Sequence, residues 1–238
     1  MNNIDSLCDK LNMLYNNCVM LCRESCVCQD NLGIYRLYVS NRHDNKRYSR
    51  YSEFVKLNKD INKYKCINGR LYGLCDNLGN DVTDNKYEDI AAINGDYAVI
   101  KEVGLDYGLV DLRDMDNIIE GKYSSISMYK GIDFVVTRLG YYGISELYGY
   151  DGKRLLNVRY SNIIITDKVL ICSIDDPLDS IYDFYDYKMG LLASCRRGSN
   201  IYNDNGLISI DAVIDGKDIH WSNLKIKEEI KKKEGLGI

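Results

Sequence analysis

Apolar side chains near the start of the chain recur at a spacing of three and four residues. This spacing places them on one face of a helix. The members of the series are Leu7, Cys8, Leu11, Leu14, Tyr15, Cys18, Leu21 and Cys22. The pattern predicts an amphipathic N-terminal helix within residues 1–30, packed on the rest of the chain.

The C-terminal segment carries a shorter pattern of the same kind. Trp221, Leu224, Ile226 and Ile230 stand among five lysines, which are Lys225, Lys227, Lys231, Lys232 and Lys233. The pattern predicts a short basic helix or tail over 216–238. Its lysines are interpreted as a solvated face and not as a membrane or nucleic-acid contact.

Between these segments a motif recurs every 35 residues. Its copies are Tyr72-Gly73-Leu74-Cys75-Asp76, Tyr107-Gly108-Leu109-Val110-Asp111 and Tyr142-Gly143-Ile144-Ser145-Glu146. After a turn rich in Asn, Asp or Gly, each copy continues with a basic residue, a tyrosine and, three residues later, an isoleucine. These triplets are Lys86-Tyr87 with Ile90, Lys122-Tyr123 with Ile126, and Arg159-Tyr160 with Ile163. An apolar run then closes each unit.

Each unit offers three short strand-like runs broken by turn residues, which predicts a small antiparallel meander. One meander cannot bury its apolar face alone, so units must stack. Weaker copies upstream and downstream extend the array over 31–215. The fold class predicted is mainly β: about five three-stranded repeats in an open solenoid or a partial propeller, with a helix at each end.

The recurring residues are given structural roles. The tyrosines of the three copies are predicted to stack as a ladder, namely Tyr72, Tyr107 and Tyr142. The glycines that follow suit either a close approach of a neighbour or a positive φ, at Gly73, Gly108 and Gly143. The acids four residues after each tyrosine are predicted to begin turns, at Asp76, Asp111 and Glu146.

These motifs resemble the WG (KWG) β-repeat, whose units begin with Trp-Gly-Leu-Ile-Asp and carry Lys-Tyr-Asp-x-Ile some fifteen residues later. The resemblance covers Tyr72 to Cys172 closely and Gly33 to Ile210 loosely. This chain departs from the pattern in having tyrosine at the tryptophan position. The resemblance implies a bacterial β-repeat protein with a role in binding and no shared active site.

Composition agrees with a strand-rich protein, because 21 tyrosines stand against 3 Phe and 1 Trp. The formal net charge is −4. No apolar run has the length of a membrane helix, and the first residues lack the pattern of a secretory leader. We therefore expect a cytoplasmic protein with no membrane contact.

Charge is concentrated in one segment. The segment from Arg36 to Arg70 contains ten basic and three acidic residues, which gives a net charge of +7. Because tyrosines alternate with these cations, the strip suits either a protein surface or the phosphates and bases of a nucleic acid. The residues predicted to contact a partner are Arg36, Arg42, Lys46, Arg47, Arg50, Tyr48 and Tyr51.

A second candidate contact is the acidic and aromatic segment from Asp175 to Tyr187. It interrupts the apparent repeat, and inserted loops of repeat proteins often bind partners. We predict a projecting loop, or a merely solvated one, whose contact residues are Asp179, Tyr182, Asp183, Phe184 and Tyr185.

Nine cysteines without a leader pattern predict reduced thiols. Cys18, Cys22, Cys26 and Cys28 are close enough in sequence to suggest a zinc or iron–sulfur site, but their spacing matches no usual pattern. Packed thiols on a helix are the favoured interpretation. We expect no cofactor.

No catalytic motif is present: the sequence lacks a Gly-x-Ser-x-Gly elbow, a metal-binding His pair and a Walker loop. The primary hypothesis is a non-enzymatic adaptor or inhibitor that binds a protein or ribonucleoprotein, including a phage-type antagonist of a host nucleoprotein. The alternatives are a nucleic-acid-binding protein that uses the basic strip and a metal-dependent protein built on the Cys18–Cys28 cluster.

Overall fold

The computed structural model describes residues 15, 17–39, 50–57, 59–140, 143–175, 180–196, 200–204, 207–214 and 217–227. Within these ranges the chain forms twenty β-strands and no helix. The strands pair antiparallel in meanders, so the prediction of a mainly β, antiparallel fold is confirmed for this part of the chain. The chain divides into two compact units.

The first unit contains the described residues up to Leu105, together with Val110–Asp116. Its strands pair antiparallel in chain order. They are β1 Asn17–Cys22, β2 Ser25–Gln29, β3 Tyr35–Val39, β4 Arg50–Lys56, β5 Ile61–Cys66, β6 Tyr72–Asp76, β7 Asp81–Asn94 and β8 Tyr97–Glu102. Strand β9, Tyr107–Asp111, is divided between the two units.

The second unit contains Asp106–Leu109 and the described residues from Asn117 onward. After β10, Asn117–Tyr123, it has three antiparallel sheets, formed by β11 to β13, β14 to β17 and β18 to β20. These strands are β11 Ser125–Met128, β12 Phe134–Leu139, β13 Ile144–Gly149, β14 Asn162–Ile165, β15 Leu170–Ile174, β16 Ile181–Tyr185, β17 Leu191–Arg196, β18 Asn200–Asp204, β19 Leu207–Ile214 and β20 Lys217–Lys225.

The predicted N-terminal helix is wrong for residues 17–29, which form the hairpin β1–β2. Leu21 and Val27 pack in one apolar cluster, whereas Cys26 and Cys28 pack in another together with Met20. Because both faces of the hairpin are apolar, the sequence lacks the polar alternation that marks a half-buried strand and imitates helical spacing. Residues 1–14 of the predicted helix lie outside the described residues.

The predicted C-terminal helix is also wrong where the structure describes it, because Lys217–Lys225 forms β20. Trp221 lies opposite Ile210 and Leu224 opposite Ile208, with a register shift between the two pairs. Asn223 has a φ of 59° in this bulge. The bulge brings two apolar side chains three residues apart to the same core, which imitates one helical turn.

The repeat is built on its second tyrosine, not its first. The tyrosines of the basic-Tyr pairs are almost fully buried, at 1% exposure for Tyr87, 0% for Tyr123 and 1% for Tyr160. Tyr72 and Tyr107, at the tryptophan position, are only half-buried. The predicted ladder of Tyr72 and Tyr107 stays a prediction, and Tyr142 lies outside the described residues.

The glycine that follows each motif tyrosine is predicted to allow either a close approach of a neighbour or a positive φ. Each explanation applies to different copies of the repeat. A Cβ at Gly73 would lie 2.7 Å from the ring of Tyr64, and one at Gly108 would lie 2.7 Å from the carbonyl oxygen of Ile119. Gly143 instead has a φ of +70°. The first two positions need the absence of a side chain, whereas the third needs backbone freedom.

Two of the three predicted turn acids begin turns. The Asp76 carboxylate accepts the backbone N–H groups of Leu78 (2.8 Å) and Asn80 (2.9 Å), and Asp111 accepts that of Arg113 (2.9 Å). Glu146 does not begin a turn, because it lies in the interior of β13, whereas Asp76 and Asp111 are the last residues of β6 and β9. Its longer side chain makes a different set of contacts.

Candidate functional site

The described residues of the basic strip 36–70 belong to the first unit. Arg36 pairs with Asp30 at 3.0 Å, and Lys59 pairs with Asp60 at 3.6 Å. Lys56 donates through Nζ to the carbonyl oxygen of a β1 residue at 2.7 Å. Part of the charge of this strip is therefore satisfied within the protein.

The individual contact residues predicted in the strip have different outcomes. Arg50 lies opposite Arg36 in the β3–β4 register. Tyr51 is 3% exposed and packs against the rings of Phe54 and Tyr64, so its prediction as a partner contact is wrong. The remaining four predicted contacts lie outside the described residues: Arg42, Lys46, Arg47 and Tyr48.

A polar cluster on β4, β5 and β6 is centred on the ring of Tyr72. The register places Glu53, Lys65 and Tyr72 opposite one another on successive strands. The ammonium groups of Lys63 and Lys65 lie 3.7 and 5.0 Å from the ring centroid. The Tyr72 hydroxyl donates to Glu53 Oε2 at 2.8 Å, and Lys63 Nζ lies 3.4 Å from Oε1.

Lys63 makes this cluster unusual, because only 1% of its side chain is exposed. A desolvated ammonium group needs a counter-charge, which Glu53 supplies, and an aromatic face adds a cation–π contact. The half-buried ring of Tyr72 therefore contacts two cations. Rigid tyrosines beside charged groups are typical of protein-binding surfaces.

The acidic and aromatic segment is not a projecting loop where the structure describes it. Residues Ile181–Tyr185 form β16, which pairs with β15 on one side and β17 on the other. Phe184 is fully buried, and its ring centroid lies 4.8 Å from that of Trp221. The prediction of Phe184 as a surface anchor is therefore wrong. Tyr182, Asp183 and Tyr185 are half-buried, and Asp179 lies outside the described residues.

A buried carboxylate, predicted from the sequence to begin a turn, is the centre of a polar network in the second unit. Only 4% of the Glu146 side chain is exposed. Its Oε2 accepts the hydroxyls of Tyr123 (3.0 Å) and Tyr148 (3.2 Å), and its Oε1 accepts Arg159 Nε at 2.8 Å. Arg154 Nη1 lies 3.5 Å from the same oxygen.

The charge state of Glu146 follows from these contacts. Burial by itself raises the pKa of a carboxyl group, but the hydrogen bonds from Tyr123 and Arg159 and the charges of Arg154 and Arg159 outweigh it. The pKa of Glu146 is therefore lowered from its ordinary value of 4.5. At neutral pH this group is a carboxylate held by two phenols and two guanidinium groups.

The same arrangement recurs 37 residues later with an aspartate. Tyr160 donates to Asp183 Oδ2 at 2.8 Å, and its hydroxyl lies 2.7 Å from that of Tyr185. The offset links Tyr123 to Tyr160, Glu146 to Asp183 and Tyr148 to Tyr185. This spacing is the signal in the sequence that identifies both acids, and it shows that the segment around Asp183 continues the repeat.

The cysteine cluster lies on the N-terminal hairpin. Cys18 and Cys28 are opposite each other in the β1–β2 register and form a disulfide. The prediction of reduced thiols is wrong for this pair, and the proposed metal site loses two of its four free thiols. Cys26 is buried, and Cys22 Sγ lies 3.1 Å from Ser25 Oγ. The residues that the structure describes contain no group of three or more His, Cys, Asp or Glu side chains able to hold a metal ion.

The buried cysteines are expected to resist alkylation. Burial raises the pKa of the Cys75 and Cys172 thiols to about 12, so very little thiolate exists at pH 8. Iodoacetamide and mass spectrometry of the native protein should leave both unmodified while half-buried Cys66 reacts. In denaturant without reductant, Cys18 and Cys28 should be the two that stay unlabelled. Labelling of native Cys172 as fast as Cys66 would contradict its placement in the core.

Other features of the described residues bear on membrane contact and catalysis. None of these residues belongs to a helix that is long and apolar enough to cross a membrane. His220 pairs with Asp211 at 2.5 Å, but both side chains are more than half exposed, without the burial that tunes a catalytic histidine. The described part of the chain is a β-repeat scaffold, and the expectation of a non-enzymatic protein stays a prediction.

No family model matches the chain, and no curated protein matches it. Solved structures with a similar arrangement include apo AztD from Citrobacter koseri, which is 12% identical with a TM-score of 0.38 over 92% of this chain and 71% of that one. A loop variant of Hsv2 from Kluyveromyces lactis is 12% identical with a TM-score of 0.39, over 81% and 72%. BamB from Moraxella catarrhalis is 8% identical with a TM-score of 0.34, over 79% and 67%. At these scores we take no function from them.

Proposed function

We propose that this chain is a non-enzymatic binding scaffold, an adaptor or inhibitor that contacts a protein or ribonucleoprotein through the strip of residues 36–70. The finer architecture belongs to the same proposal: WG-like units in an open solenoid or a partial propeller. A cytoplasmic location is proposed from the sequence alone. The Cys18–Cys28 disulfide is more typical of an oxidising compartment. The alkylation experiment above tests whether this disulfide is present in the protein.

The observation that supports a protein partner over a nucleic acid is the pairing of charge within the strip. Three of its cations, Arg36, Lys59 and Lys63, are matched by carboxylates. Binding to a phosphate backbone gains most from unpaired cations that release counterions. A surface of paired charges around a fixed tyrosine instead suits a protein partner, since complementary polar contacts there give specificity more than raw attraction.

Charge reversal within the strip is expected to weaken partner capture. The variant Lys65→Glu/Arg70→Glu changes one half-buried and one exposed cation of the first unit. We expect at least a tenfold loss of the captured protein when the tagged chain is incubated with an extract of its native source, because hot-spot losses of ~1.4 kcal/mol or more give that factor. The measurement is quantitative mass spectrometry of the eluate.

The control for this experiment carries the same change in net charge elsewhere. Lys130→Glu/Lys168→Glu reverses two exposed lysines of the second unit, and we expect it to retain the partner. Equal capture by both double variants would refute the strip as the contact. Loss of the captured material after nuclease treatment would favour the alternative of a nucleic-acid-binding protein.

A further inference from the structure

Arg159 presents an unusual guanidinium group at the surface of the second unit. Its Nε donates to Glu146 at 2.8 Å, and 57% of its side chain is exposed. Its two terminal nitrogens make no hydrogen bond within the described residues. A guanidinium held at Nε in this way keeps its terminal nitrogens for an external oxygen ligand.

The support beneath this group is rigid. Glu146 is held within β13 by the hydroxyls of Tyr123 and Tyr148, both of which lie on or next to paired strands. Arg154 approaches the same carboxylate at 3.5 Å and donates through Nη2 to the Asn157 carbonyl oxygen at 2.8 Å. Its Nε is buried without a hydrogen-bond partner among the described residues. The site therefore contains two cations for one anion, a net charge of +1.

The second copy of the network can be compared with the first. Asp183 is held by Tyr160, with Tyr185 beside it. The position 37 residues after Arg154 is Leu191, which is 56% exposed, and the position 37 residues after Arg159 is Arg196. The two copies therefore differ at the Arg154 position.

The surroundings of Arg159 indicate the class of ligand. Residues 71–238 carry a net charge of −9, which disfavours every ligand with many negative charges, such as nucleic acid, and favours a ligand with a single carboxylate. Val158, beside Arg159, is 44% exposed, and the nearby ammonium of Lys153 is paired with Asp151 at 3.0 Å. One free guanidinium beside one apolar side chain is complementary to an acidic residue next to an apolar one.

We propose that Arg159, positioned by Glu146 and supported by Arg154, is a binding site for the carboxylate of a single Asp or Glu side chain in an otherwise uncharged peptide segment of a partner protein. Arg159 binds the carboxylate through its terminal nitrogens while Val158 contacts the adjoining apolar side chain. This site is separate from the basic strip of the first unit.

A defined peptide tests the site without a known partner. The probe is a fluorescein-labelled 12-residue peptide that carries one Glu beside one Leu among neutral polar residues, and its matched control has Gln in place of the Glu; fluorescence anisotropy gives the Kd. We expect the Glu peptide to bind at least tenfold more tightly than the Gln peptide. Arg159→Ala should abolish this difference, and Arg159→Lys should weaken binding about fivefold, since lysine lacks the planar fork. Lys153→Ala, which removes an 82% exposed neighbouring cation, should leave the Kd unchanged.

Several outcomes would overturn the proposal. They are no binding of the Glu peptide, equal binding of the Gln peptide, and unchanged binding by Arg159→Ala with an unaltered unfolding curve. A single-stranded 12-nucleotide DNA that binds more tightly than the Glu peptide and loses affinity in Arg159→Ala would assign the site to phosphate instead. Because this test uses a defined peptide and residues of the second unit only, its failure leaves the strip of residues 36–70 and its capture experiment untouched.

Discussion

Replacing Phe184 by alanine is expected to lower the free energy of unfolding by about 3–5 kcal/mol. The side chain is fully buried in a cluster with Ile171 and Ile210, and its ring lies against Trp221. Truncation removes a large apolar group and leaves a cavity between strands that cannot close fully. Urea denaturation monitored by circular dichroism measures the change.

Leu192→Ala is the matched control for this variant, because Leu192 lies on the adjacent strand β17 and is 53% exposed. Its effect should be within about 1 kcal/mol, as for most exposed positions. If residues 181–185 instead formed a projecting loop, the two variants would have similarly small effects. Equal stability of Phe184→Ala and the parent protein would therefore refute the placement of β16.

Glu146→Gln is expected to lower the free energy of unfolding by about 2–4 kcal/mol at pH 7, because it leaves Arg154 and Arg159 without their shared anion. The effect should depend on pH. The pKa of Glu146 is lower in the folded state than its ordinary value of 4.5, so the unfolded state takes up the proton first. The stabilisation is therefore fully present above about pH 5 and is lost as the pH falls through 4.5 toward the folded pKa.

Urea denaturation at a series of pH values between 3.5 and 8 measures this dependence. The difference between the parent protein and Glu146→Gln should shrink steadily as the pH falls below 5. Glu120→Gln, which changes an exposed carboxylate of the same unit, should follow the parent protein at every pH. A constant difference across the whole range would show that Glu146 contributes by shape and not by charge.

The repeat was the part of this fold that the sequence revealed most directly. The Tyr-Gly runs at Tyr72 and Tyr107 begin strands β6 and β9, and the later basic-Tyr pairs fall in β7 and β10. A repeat stays recognisable in the sequence when single residues differ, because each unit packs against neighbours of the same kind. The burial of Tyr87 and Tyr123 in place of Tyr72 could not be predicted, since a tyrosine at either position is compatible with a strand.

The two wrong helix predictions, at the two ends of the array, have the same physical cause. In β1–β2 both faces of the hairpin are apolar, and in β20 a bulge moves Leu224 onto the face of Trp221. In each case the apolar residues do not alternate with polar ones at the period of two that identifies a strand. Apolar residues three apart remain, which is the spacing of a helix. Tertiary pairing then decides between helix and strand, and a single sequence does not display that pairing.

The candidate site was missed for a different reason. Glu146 occupies the fifth position of a motif whose other copies carry a turn aspartate, so the motif itself suggested the wrong role. At Glu146 the strand continues, so the carboxylate accepts hydrogen bonds from Tyr123, Tyr148 and Arg159 and not from the backbone of a turn. The 37-residue offset from Tyr123 and Tyr148 to Tyr160 and Tyr185 is the better guide, because it compares whole networks and not single positions.

Two buried tyrosines of the second unit take their acceptors from strands that come later in the chain: Tyr123 of β10 donates to Glu146 of β13, and Tyr160 donates to Asp183 of β16. A gene that lost the 3′ end of such an array would leave the last remaining tyrosine with a buried, unpartnered hydroxyl. Duplication of a whole 37-residue segment adds one donor and one acceptor together. Loss of the last strands should therefore cost such an array more stability than insertion of a whole 37-residue segment.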